Sequence, residues 1–178
     1  MNSLRVLTGT MLLVLIGCSS TTEMSKVERA ESAAHHDLSS KATIIDIDGN
    51  VLREGSPHWH CVPGIPVMPG DTHPMCNDEV WEKLLKSAAE GKPFETDRIG
   101  ISYMMQGDAY VSNSNPAATD PNNGDVWVKE GPHLMIVVPS ELLEGISDDP
   151  FNGGPYVMWK GTPYAHIMVP IGSKPQQK

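Results

Sequence analysis

Beyond the first twenty residues, the most apolar stretch of the chain is HLMIVV at 133–138, which a proline follows. A run of this kind predicts a buried central strand. In the segment 99–105, Gly100 and Ser102 leave one face of the predicted strand thin, which suits a ligand or, more commonly, a closely packed neighbour. Runs of alternating or β-branched residues predict the further strands, at 42–47, 51–53, 58–62, 99–105, 156–160 and 164–169.

One segment, at about 77–90, has the period of an amphipathic helix. Its apolar positions fall on one face and are Trp81, Leu84, Leu85 and Ala88. Asn77 is the predicted N-cap, and a glycine and a proline at 91 and 93 end the helix. Strands around one main helix predict an α+β fold, a single disulfide-stapled domain with a largely antiparallel sheet.

Two of the three cysteines, Cys61 and Cys76, flank a segment rich in proline and glycine. Proline excludes helix and central strand there, so an irregular loop of this length needs a constraint to stay ordered. A Cys61–Cys76 disulfide supplies that constraint. The alternative is a zinc or copper site in which His58, His60 and His73 join the two cysteines. No C-x2-C pair is present, and an oxidising compartment favours the disulfide.

Residues 1–17 have the features of a bacterial lipoprotein signal peptide. The basic residue Arg5 precedes a short apolar run that ends in Leu-Ile-Gly-Cys and resembles a lipobox. The resemblance implies cleavage before Cys18 and lipidation of its thiol, which makes the lipid bilayer a partner of the protein. An ordinary signal peptide or a weak anchor helix is the alternative.

The polar residues 18–41 are predicted to form a lipid-anchored flexible tether. We expect the protein in the bacterial cell envelope, facing the periplasm. Because Ser19 and Ser20 rather than aspartate follow Cys18, the outer membrane is favoured in a Gram-negative cell.

The globular domain is predicted to span 42–171, and 172–178 form a C-terminal tail. The whole chain has 178 residues and a formal net charge of −9 at pH 7. This acidic balance argues against nucleic acid as a partner and against a polybasic membrane patch.

No motif of the chain identifies a reaction. The G-x-S-x-G elbow, the H-E-x-x-H motif, the phosphate loop and the dinucleotide fingerprint do not occur. We therefore expect a non-catalytic binding or accessory protein of the cell envelope that requires no cofactor and binds an unidentified protein or small molecule. The alternatives are a periplasmic copper-binding protein and an envelope hydrolase with His133 or His166 as its base.

A repeated triplet is the basis of the copper hypothesis. HLM and HIM share the pattern His-x-Met, and each leads into apolar residues and a proline. Residues two apart in a strand share a face, so His133 projects with Met135, and His166 with Met168. If the two strands are neighbours in register, two imidazoles and two thioethers converge, a set that suits Cu(I). Alternatively, the methionines fill gaps in the core and the histidines bond to the backbone.

Five blocks of the chain are WHC at 59–61, MCND at 75–78, GPHLMIV at 131–137, YVMW at 156–159 and GTPYAHIM at 161–168. Together these blocks resemble a family of secreted bacterial proteins of unknown function. The similarity covers about residues 42–171 and implies no established activity for this chain.

Overall fold

The computed structural model describes residues 24–65, 73–173 and 175–178. The predicted signal peptide and Cys18 lie outside these residues. Within the described ranges, no helix has both the length and the hydropathy needed to cross a bilayer.

Most of the described strands belong to one mixed but largely antiparallel sheet. In chain order they are β1 (Ala42–Ile45), β2 (Val51–Arg53), β3 (Ser56–Val62), β4 (Met75–Asp78), β5 (Gly100–Met104), β8 (His133–Val137), β9 (Tyr156–Met158) and β10 (His166–Pro170). Their order across the sheet is β2-β1-β3-β4-β5-β8-β10-β9, and only the β1–β3 pair among these described strands is parallel. A smaller sheet has the order β11-β7-β6 and contains β6 (Val111–Ser112), β7 (Trp127–Lys129) and β11 (Gln176–Gln177).

The helices of the described residues are few and short. They are α1 (Lys26–Glu31), α2 (His36–Ser39) and the main helix α3 (Glu79–Ala89), with a 3-10 turn at Ser140–Leu143. The predicted α+β fold, with a largely antiparallel sheet, one main helix and one disulfide, is confirmed.

The apolar run at 133–138 forms β8, an interior strand between β5 and β10. His133, Met135 and Val137 are buried on its inner face, whereas Leu134 and Ile136 on the outer face are half-buried. The strand is therefore central, as predicted, and its buried residues point toward α3 and the core.

Helix α3 begins one residue later than predicted, and its N-cap is Asp78 rather than Asn77. The Asp78 carboxylate accepts hydrogen bonds from the backbone N–H groups of Val80 and Trp81, at 2.9 and 2.8 Å. Asn77 is instead buried in β4, where it accepts a 2.6 Å hydrogen bond from the Ser102 hydroxyl. The N-cap assignment was wrong because sheet pairing on both sides of β4 holds Asn77 in the strand.

The thin face of β5 is occupied by α3. A Cβ atom added at Gly100 would lie 2.7 Å from Val137 Cγ2 and 2.8 Å from Val80 Cβ. Such distances are too short for a side chain, so glycine is required for the helix to approach the sheet this closely. A packed neighbour, rather than a ligand, explains this face.

The described part of the predicted tether is folded onto the sheet. Ala30 of α1 and Ala33 of the connection to α2 pack against the outer face, where both are fully buried beside Ile44 and the disulfide. Arg53 of β2 forms an ion pair with Glu31 of α1. A flexible tether was expected because the segment has few large apolar residues. In this contact, buried alanines have the role that large apolar residues usually have, since small side chains let a helix lie close to a sheet.

The structure contains the Cys61–Cys76 disulfide. The two cysteines are direct cross-strand partners in β3 and β4, and both are fully buried. The predicted bond is confirmed, and the cysteine-based metal site is wrong because the two sulfurs bond to each other.

Candidate functional site

A cavity of about 340 Å³ lies between α3, the inner face of the large sheet and the segment that follows β6. Trp81, Trp159, His166 and Ala88 also line it. Methionine is the most frequent residue type among the described lining residues: Met75, Met104, Met135, Met158 and Met168. We call this cavity, formed by these five methionines with the two tryptophans, His166 and the inner face of α3, the methionine pocket.

Strand register explains how the methionines meet. Met135 of β8 is the direct cross-strand partner of Met168 of β10. On the next strand, Met158 of β9 lies opposite His166. Opposed side chains of neighbouring strands share a face and lie close together. His166 therefore has one methionine across from it and a second two residues along its own strand.

The two His-x-Met triplets are brought into one sheet, but their histidines do not converge. Antiparallel pairing aligns His133 with Pro170, so the histidines lie at opposite ends of the Met135–Met168 pair. Along β10, His166 lies four residues from Pro170, the partner of His133, which is a backbone rise of roughly 13 Å. The expected cluster of His133, Met135, His166 and Met168 is therefore divided into two His–Met groups.

Each histidine is buried, and each Nδ1 atom contacts a backbone carbonyl two residues earlier. His133 Nδ1 lies 2.8 Å from Gly131 O, and His166 Nδ1 lies 2.9 Å from Tyr164 O. A carbonyl oxygen only accepts hydrogen bonds, so each Nδ1 carries the proton. Burial lowers the pKa of His166 to about 4. At neutral pH, His166 is thus uncharged and has its lone pair on Nε2.

The corner of the pocket around His166 contains two polar atoms that the described protein leaves without a hydrogen-bond partner. They are His166 Nε2 and the indole nitrogen Nε1 of Trp81, and both are buried. The Trp81 and His166 ring centroids are 5.2 Å apart with the planes at 83°. Two rings in contact thus contribute one hydrogen-bond acceptor and one donor to this part of the core.

Trp159 forms the other wall of this corner in an unusual backbone conformation. Its φ angle is 55°, in the left-handed region that bulky residues rarely adopt. Its backbone N–H donates to Asn113 O and its indole N–H to Ser112 O, both at 2.8 Å. Strained residues persist where surrounding contacts determine them, and they cluster at ligand sites.

A group of buried acids lies near the other end of the pocket. The Tyr156 hydroxyl donates to Glu130 Oε1 at 2.8 Å, and Glu130 N–H donates to Asp108 Oδ1 at 2.7 Å. Burial raises the pKa of Glu130, and burial together with the Glu130 charge raises the pKa of Tyr156. Asp108 also lines the pocket.

Sequence reasoning missed these acids because a carboxylate beside a strand usually points to solvent. Gly107 was the feature of the sequence that could have indicated a close backbone approach near these acids. A Cβ atom at Gly107 would lie 2.6 Å from Glu130 O, so the two backbone segments approach each other closely next to both acids.

No group of three or more His, Cys, Asp or Glu side chains in the described part of the chain is arranged to hold a metal ion. Methionine thioethers are not among these four ligand types. The absence of such a group therefore does not test whether the two His–Met groups bind a metal ion. A comparison of the chain with family models, curated proteins and solved structures finds no match. The family resemblance of the five sequence blocks stays a prediction.

Proposed function

We propose that the protein is a non-catalytic binding protein of the cell envelope, and that its ligand is an apolar small molecule that occupies the methionine pocket. The observation that carries this proposal is the 340 Å³ cavity with its apolar lining. Small-molecule sites are typically cavities of roughly 300–1,000 Å³ with a few placed polar groups. Methionine suits such a site because its side chain is flexible and polarizable.

Binding is favoured over hydrolysis by the contacts of the histidines. In a Ser-His-Asp triad, the histidine Nδ1–H donates to a carboxylate that orients the ring and stabilises its charged form. Here the Nδ1 atoms of His133 and His166 lie against backbone carbonyls. Burial also lowers the pKa of His166, which makes it a weak base.

Filling the pocket is expected to abolish binding. Ala88 of α3 lines the pocket, and Ala89 beside it is exposed. We expect Ala88→Trp to bind the probe 1-methylnaphthalene at least about tenfold more weakly than the parent, because the indole takes the place of the ligand. Equilibrium dialysis measures the dissociation constants.

The matched control is Ala89→Trp, which adds the same side chain on the solvent side of the same helix. It is expected to bind like the parent. Equal affinities of the Ala88→Trp and Ala89→Trp variants, or no binding by the parent, would contradict the proposal.

The proposed location in the envelope depends on Cys18. We expect cells grown with radiolabelled palmitate to label the full chain and to leave Cys18→Ser unlabelled, because the thiol is the acceptor of the lipid. Label in both proteins to the same extent would exclude this anchor.

A second candidate function is the binding of Cu(I), and a specific arrangement favours it. His166 has a lone pair on Nε2, Met158 opposite and Met168 on the same face of its strand. Imidazole and thioether are ligands that suit Cu(I). A metal-bound histidine usually donates its other N–H to a carbonyl or carboxylate, as His166 does to Tyr164 O.

Methionine-to-leucine variants test this second candidate at nearly constant side-chain volume. We expect the parent to bind about one equivalent of Cu(I) against a competing chelator, with a higher melting temperature by mass action. Met158→Leu with Met168→Leu should lose both effects. Met104→Leu with Met135→Leu should retain them, because Met104 lies opposite His133 on β5 and Met135 shares a strand face with His133. Copper binding that survives in the first pair, or that the parent lacks, would remove copper as a ligand.

A further inference from the structure

We propose that the ligand of the methionine pocket is an apolar alcohol or phenol whose hydroxyl group binds between Trp81 and His166. This inference rests on the proposed function and names the chemistry of its ligand. It starts from two polar atoms, Trp81 Nε1 and His166 Nε2, that have no hydrogen-bond partner among the described residues.

Both side chains are almost fully buried, with 2% of Trp81 and 1% of His166 exposed, and both line the pocket. Buried polar groups in proteins nearly always have a hydrogen-bond partner, because an unpaired one loses its bond to water without replacement. A ligand that supplies both partners would restore the two bonds that burial removes.

The two atoms have complementary requirements. An indole nitrogen is only a donor. His166 Nδ1 already donates to Tyr164 O at 2.9 Å, so Nε2 of the neutral ring is only an acceptor. A hydroxyl group accepts and donates through one oxygen, whereas a carboxylate or a ketone only accepts. The two rings lie edge to face with their centroids 5.2 Å apart, and a hydroxyl group is the single small group that would meet both requirements.

The surroundings suit the apolar body of such a ligand. Met158 lies opposite His166 on the neighbouring strand, and Met168 lies on the same face of the strand that contains His166. The ring centroids of Trp159 and His166 are 4.9 Å apart. The Trp159 indole N–H already donates to Ser112 O. Within the described residues, the hydroxyl-binding pair therefore consists of Trp81 and His166, and Trp159 contributes an apolar wall.

The test compares 1-naphthol with 1-methylnaphthalene, which differ by a hydroxyl in place of a methyl group. We expect the parent to bind 1-naphthol at least about tenfold more tightly, since two unpaired buried groups gain partners. This preference should fall to about threefold or less in Trp81→Phe and in His166→Asn, each of which removes one partner. The asparagine amide takes the place of Nδ1 and keeps the bond to Tyr164 O. Trp59→Phe, which lies outside the pocket beside Tyr103, is the matched control and should retain the preference.

The outcomes separate the two proposals. Binding of neither compound by the parent overturns the proposed function and this inference with it. Equal binding of both compounds by the parent overturns the inference alone. A preference that persists in Trp81→Phe and His166→Asn overturns the placement of the hydroxyl.

A measurement on the unmodified protein covers the case in which a variant does not fold. The indole N–H resonance of Trp81 in the NMR spectrum should move further downfield with 1-naphthol than with 1-methylnaphthalene, because only the hydroxyl group accepts its hydrogen bond. The same shift with both compounds would overturn the inference.

Discussion

Replacing both disulfide cysteines, in Cys61→Ala with Cys76→Ala, is expected to lower the free energy of unfolding by about 3 kcal/mol. The bond closes a loop with a sequence separation of 15, and its loss lets the unfolded chain reach conformations that the disulfide excludes. For a domain of this size, the melting temperature should fall by roughly 6–12 °C. Thermal unfolding followed by circular dichroism measures the change.

Reduction of the parent provides the control. A reducing agent should lower the melting temperature of the parent by a similar amount and leave that of the double variant unchanged. A double variant as stable as the oxidised parent would show that the β3–β4 pairing and the packing of α1 hold this region without the bond. Because α3 starts directly after β4, the double variant should also bind 1-methylnaphthalene more weakly.

Acidification is expected to destabilise the parent more than His166→Asn, by about 2 kcal/mol between pH 7 and pH 5. The pKa of His166 is about 4 in the folded protein and about 6.5 in the unfolded chain. Below the higher value, the unfolded chain binds a proton that the folded protein does not bind. The stabilisation from the neutral ring is therefore complete above pH 6.5 and is lost as the pH falls toward 4.

Urea unfolding of both proteins at pH 7 and pH 5 measures this difference. Burial raises the pKa of Glu82 and Glu130, which has the opposite effect on stability, but both acids are present in both proteins and their contributions cancel in the comparison. The same pH dependence in parent and variant, or an imidazole of His166 that titrates near its usual pKa, would contradict the buried neutral ring.

The strands that form the floor of the pocket were predictable from the chain. The apolar run at 133–138 identified β8. The copper hypothesis required β8 and β10 to be neighbours, and the structure pairs them with their methionines on one face. The pattern does not contain the direction of pairing, however. The antiparallel direction of the β8–β10 pair places His133 and His166 at opposite ends of the paired methionines, and neither triplet contains that direction.

Other parts of the site depend on long-range packing, which local patterns do not report. In the sequence, nothing distinguishes Ala30 and Ala33 from the other residues of a polar segment. In the structure, packing against the sheet buries both completely. The pairing of Trp81 with His166 joins residues 85 positions apart through the approach of α3 to the sheet at Gly100. The cavity itself is a space between elements, so it becomes visible only once their distances are known.

The methyl groups of the methionines give the most direct measurement of where a ligand binds. In protein labelled with 13C at the methionine methyls, 1-methylnaphthalene should produce intermolecular nuclear Overhauser effects to pocket methionines, foremost Met135, Met158 and Met168. Met24 is exposed and Met105 does not line the pocket, so neither should respond. Contacts confined to the pocket methyls are the result that we predict. Contacts to Met24 or Met105 alone, or none to any methionine, would contradict a ligand site in the methionine pocket.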